Sequence, residues 1–273
     1  MFDSSKRGAP LPTLYLPHGG GPCFFMDWPP GLAGAWDPLA AWLRGIAASL
    51  PIAPTAIVVV SAHWEAPRPT VTSRPDPPLI YDYSGFPAHT YELRYAAPGA
   101  PAVAERVQAL LRAAGIPASA DDRRGFDHGV FIPFLLVAPD ADVPIVQLSL
   151  VDGLDAAAHL AIGRALEPLR HEGVLLVGSG MSYHNLGAFM RPGPKPGAEP
   201  FDAWLHDTLT GDAGSRQARL AAWDQAPGAR LAHPREEHLL PLMVAAGAAP
   251  ADTGVRSFHD RIWGTPISGY QFG

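Results

Sequence analysis

The sequence predicts an α/β layered fold, with a central sheet that is mostly parallel or mixed and is flanked by helices. Three observations carry this. Short apolar runs rich in β-branched residues, such as Ile57 to Val60, Val143 to Leu150 and Val174 to Val177, read as strands, the first buried on both faces. Between such runs lie segments with apolar residues at helical spacing. Three of the runs lead into small, polar turns that carry a histidine (His18, His63, His184), and the crevice beyond the carboxyl ends of strands is where open sheets bind ligands. At 273 residues the chain is long enough for a sizeable core. It is read as a single domain over residues 1–273, with residues 1–10 as a loose tail.

Thr13 to Pro17 reads as a short strand, and HGGGP at 18 to 22 as the turn after it. Its glycines permit positive φ or close approach to a ligand. No helix-opening phosphate fingerprint follows. Trp36 to Leu50 places Trp36, Leu39, Trp42, Ile46 and Leu50 on one helical face. After Trp64 the chain becomes rich in Pro, Tyr, Asp and Gly up to Pro101, with only short strand-like pieces at Thr70 to Thr72 and Leu79 to Tyr81. A loop-rich stretch this long is more often functional than not. Because it departs from His63, a wall over a site is expected. Proline at 67, 69, 75, 77, 78 and 87 makes that wall stiff. One or more of Tyr81, Tyr83, Phe86, Tyr91 and Tyr95 is expected to line a pocket there. Pro101 to Ala114 is a helix that opens on Pro and ends at Gly115. The apolar segment after His128 is a buried helix, Asp155 to Arg170 another helix, and Val174 to Ser179 the strand leading to His184. Pro192 to Pro200 reads as a linker and Phe201 to Ala222 as one helix. A last helix over Glu236 to Ala246 carries His238 near its first turn, and the tail from Val255 holds one strand candidate.

The composition is that of a globular chain, 47 % hydrophobic and 17 % charged. A net charge of −6 with no basic run makes nucleic acid an unexpected partner. No apolar run reaches membrane-span length, and the N-terminal residues lack a signal-like apolar stretch, so a cytoplasmic protein without a membrane partner is expected. Oligomeric state is left at monomer or small homo-oligomer. The single Cys23 excludes an internal disulfide and a thiolate-rich metal site, so any metal must lean on imidazoles and carboxylates.

Of 11 histidines, His159, His171 and His206 fall within or at the ends of helices and read as surface residues. His89, His233 and His259 carry no clear signal. His18, His63, His128, His184 and His238 each sit at or near an element end, most of them beside Gly, Pro or small residues. Neutral imidazole suits Fe(II) and Zn(II). A catalytic metal needs about three protein ligands, so five candidates leave a surplus for acid/base work.

The segments HGGGP at 18 to 22, SAHW at 61 to 64, IYDYSGFPAHTYELRYAAPG at 80 to 99 and FDHGVFIPF at 126 to 134 complete a pattern with GSGMSYHNL at 178 to 186, EEHLLPL at 236 to 242 and the ending SGYQFG. Together they resemble the LigB-like class III extradiol ring-cleavage dioxygenases, in the 4,5-DOPA extradiol dioxygenase subfamily. The resemblance runs from end to end in the same order. It implies that His18, His63 and His238 ligate one metal ion per chain, Fe(II) or Zn(II). It implies that His184 is the catalytic acid/base and a possible fourth ligand, and that His128 contacts bound oxygen or substrate. The expected partners are then a catechol-type small molecule and O2. Better-known members of the wider class use two histidines and a glutamate, whereas here the last ligand position falls on His238, just after Glu236 and Glu237. Two alternatives stand beside ring cleavage: a zinc hydrolase using metal-bound water, and a non-catalytic binding protein on the same fold.

Overall fold

The computed structural model describes residues 10–273, so the tail expected over residues 1–10 lies outside the described residues except for Pro10. The strands are β1 (Thr13–Pro17), β2 (Ala56–Ala66), β3 (Thr70–Thr72), β4 (Ser119–Asp121), β5 (Ile145–Val151), β6 (Val174–Gly180), β7 (Gly254–Ile262) and β8 (Thr265–Phe272). They form one sheet in the order β4-β3-β5-β2-β6-β1-β8-β7. The four central strands are mutually parallel. Antiparallel pairs join β3 to β5, β1 to β8 and β8 to β7. The α/β layered architecture and the mixed sheet are therefore as the sequence predicts. Burial explains the parallel centre, since every residue of β1 and β6 is buried. Such strands need cover on both faces.

The helices are α1 (Asp37–Ser49), α2 (Pro101–Ala113), α3 (His128–Val137), α4 (Ala156–Leu166), α5 (Leu186–Phe189), α6 (Ala198–Thr210), α7 (Ala213–Ala221), α8 (Ala229–Ala232) and α9 (Leu240–Gly247). β6 shows how they divide between faces. The Ser179 hydroxyl donates to the Gly129 carbonyl of α3. On the other side, a Cβ at Gly178 or Gly180 would collide with the Pro241 or His238 carbonyl, at and just before the start of α9. The α3 and α9 layers thus cover opposite faces, with α1 packed on α3 and with α4 packed on α9.

Several expected boundaries move. Strand β2 continues past His63 to Ala66, with a register shift against β5 between Val60 and Glu65. Such an irregularity re-aims side chains beside a site, so His63 lies inside the strand. The helix expected over 201–222 is two helices. It starts early, at Ala198, and breaks at Gly211 and Asp212, where the Asp212 carboxylate caps α7 by accepting from the Ser215 N–H at 2.8 Å. The last helix begins at Leu240 with Pro241 in its first turn, so His238 stands on the turn before it. The C-terminal tail holds two strands, β7 and β8, in place of one. Leu79 makes a single bridge to Phe126 instead of opening a strand. Among the described residues no helix is long and apolar enough to cross a membrane.

Candidate metal centre and active site

The five histidines singled out in the sequence meet at the carboxyl edge of the central strands. His18 follows β1, and its N–H donates to the Gly180 carbonyl at 3.0 Å. His63 comes from the irregular end of β2, and His128 opens α3. His184 follows β6, and His238 is tied back to that strand by the Met181 N–H donating to its carbonyl at 3.0 Å. Ring centroids are 4.8 Å apart for His18 and His63, 5.2 Å for His18 and His238, and 4.8 Å for His63 and His238. His128 stands 3.9 Å from His63, and His184 stacks on His238 at 3.3 Å.

The hydrogen bonds behind four of these rings, His18, His128, His184 and His238, fix which nitrogen each one offers. His18 Nδ1 is 3.0 Å from Ser179 Oγ, whose own proton goes to the Gly129 carbonyl, so His18 Nδ1–H donates and Nε2 is bare. His238 Nδ1 donates to Glu237 Oε1 at 2.9 Å, and His184 Nδ1 approaches the same oxygen at 3.0 Å. His128 Nδ1 donates to Asp82 Oδ1 at 2.8 Å, with the other Asp82 oxygen 3.8 Å from His63 Nδ1. Both carboxyls stay ionised. Burial opposes this, but the His128 hydrogen bond holds Asp82 below its usual range, and His184 does the same for Glu237. Burial, reinforced by the neighbouring imidazoles, holds His18, His63 and His238 well below the ordinary histidine range, so all three are neutral near pH 7.

This donor set fits a divalent cation. One ligand nitrogen each from His18, His63 and His238 lies within 4.8 Å of the others. The Nε2 atoms of His18 and His63 are 3.1 Å apart. Two nitrogens on one ion with bonds of ~2.1 Å stand about 3.0–3.4 Å apart in octahedral or tetrahedral geometry. Three imidazoles bring no charge of their own, and Asp82 and Glu237 supply it from the layer behind them. Glu236, the other carboxylate beside His238, instead faces Arg230 at 2.6 Å.

A cavity of about 330 Å³ opens over the histidines. Tyr83 and Phe86 from the proline-rich stretch line it, with Tyr83 centred 5.8 Å from His128. The stretch is pinned as a preformed wall: Tyr81 Oη donates to the Leu93 carbonyl and Tyr83 Oη to the Thr90 carbonyl, each at 2.6 Å. Gly21, at φ 54°, lies so close to Phe86 that a Cβ would stand 2.9 Å from its ring.

Sequence reasoning placed all five histidines but missed Asp82, Ser179 and the aromatic residues Trp28, Trp36, Phe189 and Trp263 that complete the cavity. Asp82 sat inside a quoted motif without a role. It misplaced His159, which is buried: Nε2 accepts from the Val151 N–H at 3.1 Å and Nδ1–H donates to the Asp155 carbonyl. His206 is half-buried, and His171 is exposed as expected. His233 is buried between Phe201 and Trp223.

Residues 12–273 match the family model described as the catalytic LigB subunit of aromatic ring-opening dioxygenase. The chain belongs to this family. Similar proteins include the 4,5-DOPA dioxygenase extradiol of Beta vulgaris, 42 % identical over 80 % of this chain and 81 % of that one. The dioxygenase tasH of Hapsidospora irregularis is 38 % identical over 99 % of this chain and 88 % of its own. Among solved structures, uncharacterized protein JW3007 from Escherichia coli K12 superposes with a TM-score of 0.76 at 33 % identity, covering 96 % of this chain and all of the other. This LigB-family protein is thus an oxidoreductase, a ring-cleavage dioxygenase similar to proteins named 4,5-DOPA dioxygenase extradiol. The family is metal-dependent, and the histidine cluster is where this member could hold its ion.

Proposed function

We propose that this LigB-family protein inserts O2 into the ring of a catechol, opening it beside the two hydroxyls, at an ion held by His18, His63 and His238. The observation that supports this most is the convergence of three neutral imidazoles with two further histidines, each oriented by its own carboxylate, around one aromatic cavity. When bound, Fe(II) would supply a common seat for both catechol oxygens and O2 and would acidify the catechol hydroxyls. We read the whole chain as one cytoplasmic catalytic domain, a monomer or small homo-oligomer.

The remaining work belongs to the side chains. Glu237 accepts the Nδ1–H of His184, which leaves His184 Nε2 free to take the second phenolic proton and to return it on ring opening. On the far side of the cluster, Asp82 holds Nδ1 of His128. A proton on His128 Nε2 can then be donated to charge developing on oxygen, with Asp82 offsetting the imidazolium. Tyr83 and Phe86 give a flat ring its apolar walls. His184 is treated as acid/base in this reading, although its stacking on His238 also keeps it close enough to serve as a fourth ligand.

His184→Ala is expected to keep the metal and to lose catechol turnover by roughly 10²–10⁴-fold. Metal analysis beside O2 uptake checks this, and parallel loss of metal would make His184 a ligand. Anaerobic reconstitution with Fe(II) or Zn(II), followed by assay on catechols and on esters, tests the reaction itself. Ester hydrolysis with Zn(II) and no O2 uptake with Fe(II) would overturn it.

A further inference from the structure

We propose that the cavity selects a catechol bearing an apolar, ring-sized substituent and no charged group, and that Trp263, Trp36 and Phe189 set this preference. The inference rests on the ring cleavage proposed above and goes further by naming the substrate class. The metal-binding end of the cavity holds all of its titratable nitrogens. Among the described residues, no Asp, Glu, Lys or Arg lines the rest. The far wall is a packed set of rings, with Trp263 centred 4.9 Å from Trp28, 5.5 Å from Trp36 and 5.4 Å from Phe189. The two tyrosine hydroxyls of the lining already donate to backbone, Tyr83 to Thr90 and Tyr183 to Pro196.

Two features show that this wall is built and not incidental packing. Trp263 is at φ 50° at the tip of the β7–β8 hairpin, a left-handed conformation that a bulky residue seldom adopts. Such conformations persist where surrounding structure over-determines them, and they concentrate at ligand sites. The turn places the indole on the cavity, 79 residues in sequence from His184 and farther still from His128, His63 and His18, at a turn position that ordinarily takes Asn or Gly. At the mouth, Leu186 and Met190 are 58 % and 59 % exposed and extend the apolar path outward. Lys195, beside α5, spends its three donors on the carbonyls of Ala188, Phe189 and Arg191 at 3.0, 2.9 and 2.7 Å. A catechol with an amino-acid side group would lay an ammonium where no acidic side chain lines the cavity and a carboxylate where no cationic one does, with only the unpartnered indole N–H groups of Trp36 and Trp263 as donors, and burying poorly compensated charge is costly. A second aromatic ring would instead fill space that a bare dihydroxybenzene leaves open.

The test uses the full-length chain. Quenching of tryptophan fluorescence would follow binding of 4-phenylphenol and of tyrosine. O2 uptake by the Fe(II)-loaded protein would compare 4-phenylcatechol with 3,4-dihydroxyphenylalanine. We expect 4-phenylphenol to bind, and 4-phenylcatechol to be turned over by kcat/KM, better by about 10-fold or more. Trp263→Ala should erase most of that margin. Leu186→Arg, at an exposed position that does not threaten folding, should move the preference toward 3,4-dihydroxyphenylpropionate. Equal or better binding of tyrosine, or equal or better turnover of 3,4-dihydroxyphenylalanine, would overturn the inference. Selective binding of 4-phenylphenol with no catechol consumed would instead sink the proposed reaction and leave the cavity preference standing.

Discussion

Glu237 is the residue on which two rings of the cluster depend, because one oxygen faces both His238 Nδ1 and His184 Nδ1. Carboxylates that orient ligating histidines typically contribute 10–100-fold to metal affinity or activity. Glu237→Gln should therefore weaken both metal retention and turnover by about that factor, read by metal content after dialysis and by O2 uptake. A loss of turnover with full metal retention would mean that Glu237 serves His184 alone. Two histidines outside the cluster make a separate prediction about acid. His159 is buried and lowered from the usual histidine range, and His233 is buried and lowered to about 3, both chiefly by burial. Between each site's folded value, about 3 for His233, and the unfolded value of about 6.5, the unfolded chain binds a proton that the folded chain does not. Their contribution to stability is intact above pH 6.5 and is lost as pH falls toward the folded values. The urea midpoint should drop between pH 7 and pH 5, and His159→Gln should flatten that dependence. An unchanged slope in the variant would show that His159 is not one of the responsible groups.

At the scale of elements, the close approach of β6 to the turn before α9 positions His238. A Cβ at Gly180 would fall on the His238 carbonyl oxygen, and Tyr15 Oη already donates to that oxygen at 2.9 Å. Gly180→Ala must push that turn away from the strand. We expect a loss of about 1–3 kcal/mol in stability, as for other overpacked sites, together with reduced metal occupancy. Denaturant midpoints and metal analysis measure the two. A destabilised variant with full occupancy would show that the turn and the ligand move independently. Gly129 performs the same service on the opposite face, where a Cβ would lie 2.5 Å from Ser61 Oγ and 3.0 Å from the His63 ring. The proline-rich wall was visible in the sequence as composition. Its pinning was not, because the Tyr81 and Tyr83 hydroxyls find carbonyls within their own stretch through a fold that has no periodic signature.

At the scale of the whole molecule, the C-terminal hairpin completes both the sheet and the cavity. Strand β8 pairs Thr13 with Phe272 and Tyr15 with Tyr270, which gives β1 its second neighbour, and the hairpin tip carries Trp263. Removing residues 254–273 would leave the edge of a buried strand unpaired, the usual start of aggregation. The shortened chain is expected to elute as aggregate in size-exclusion chromatography and to lose the cooperative melt of the full chain. A monodisperse, cooperatively melting product would refute that dependence.

The sequence by itself determined the layered α/β class, the central strands and most helices, since periodicity and β-branched runs are local signals that burial later obeys. It also named the five histidines, because each stands where an apolar run ends or begins. Only the tertiary structure decided how those rings face one another. His18 owes its bare Nε2 to Ser179, 161 residues away, and His128 owes its orientation to Asp82, 46 residues before it. The shift in β2, the turn that holds His238 outside α9 and the tryptophan wall likewise follow from contacts between segments distant in sequence. A pattern within one segment cannot carry such contacts, because the partner that creates each one is supplied by the packing of the whole chain.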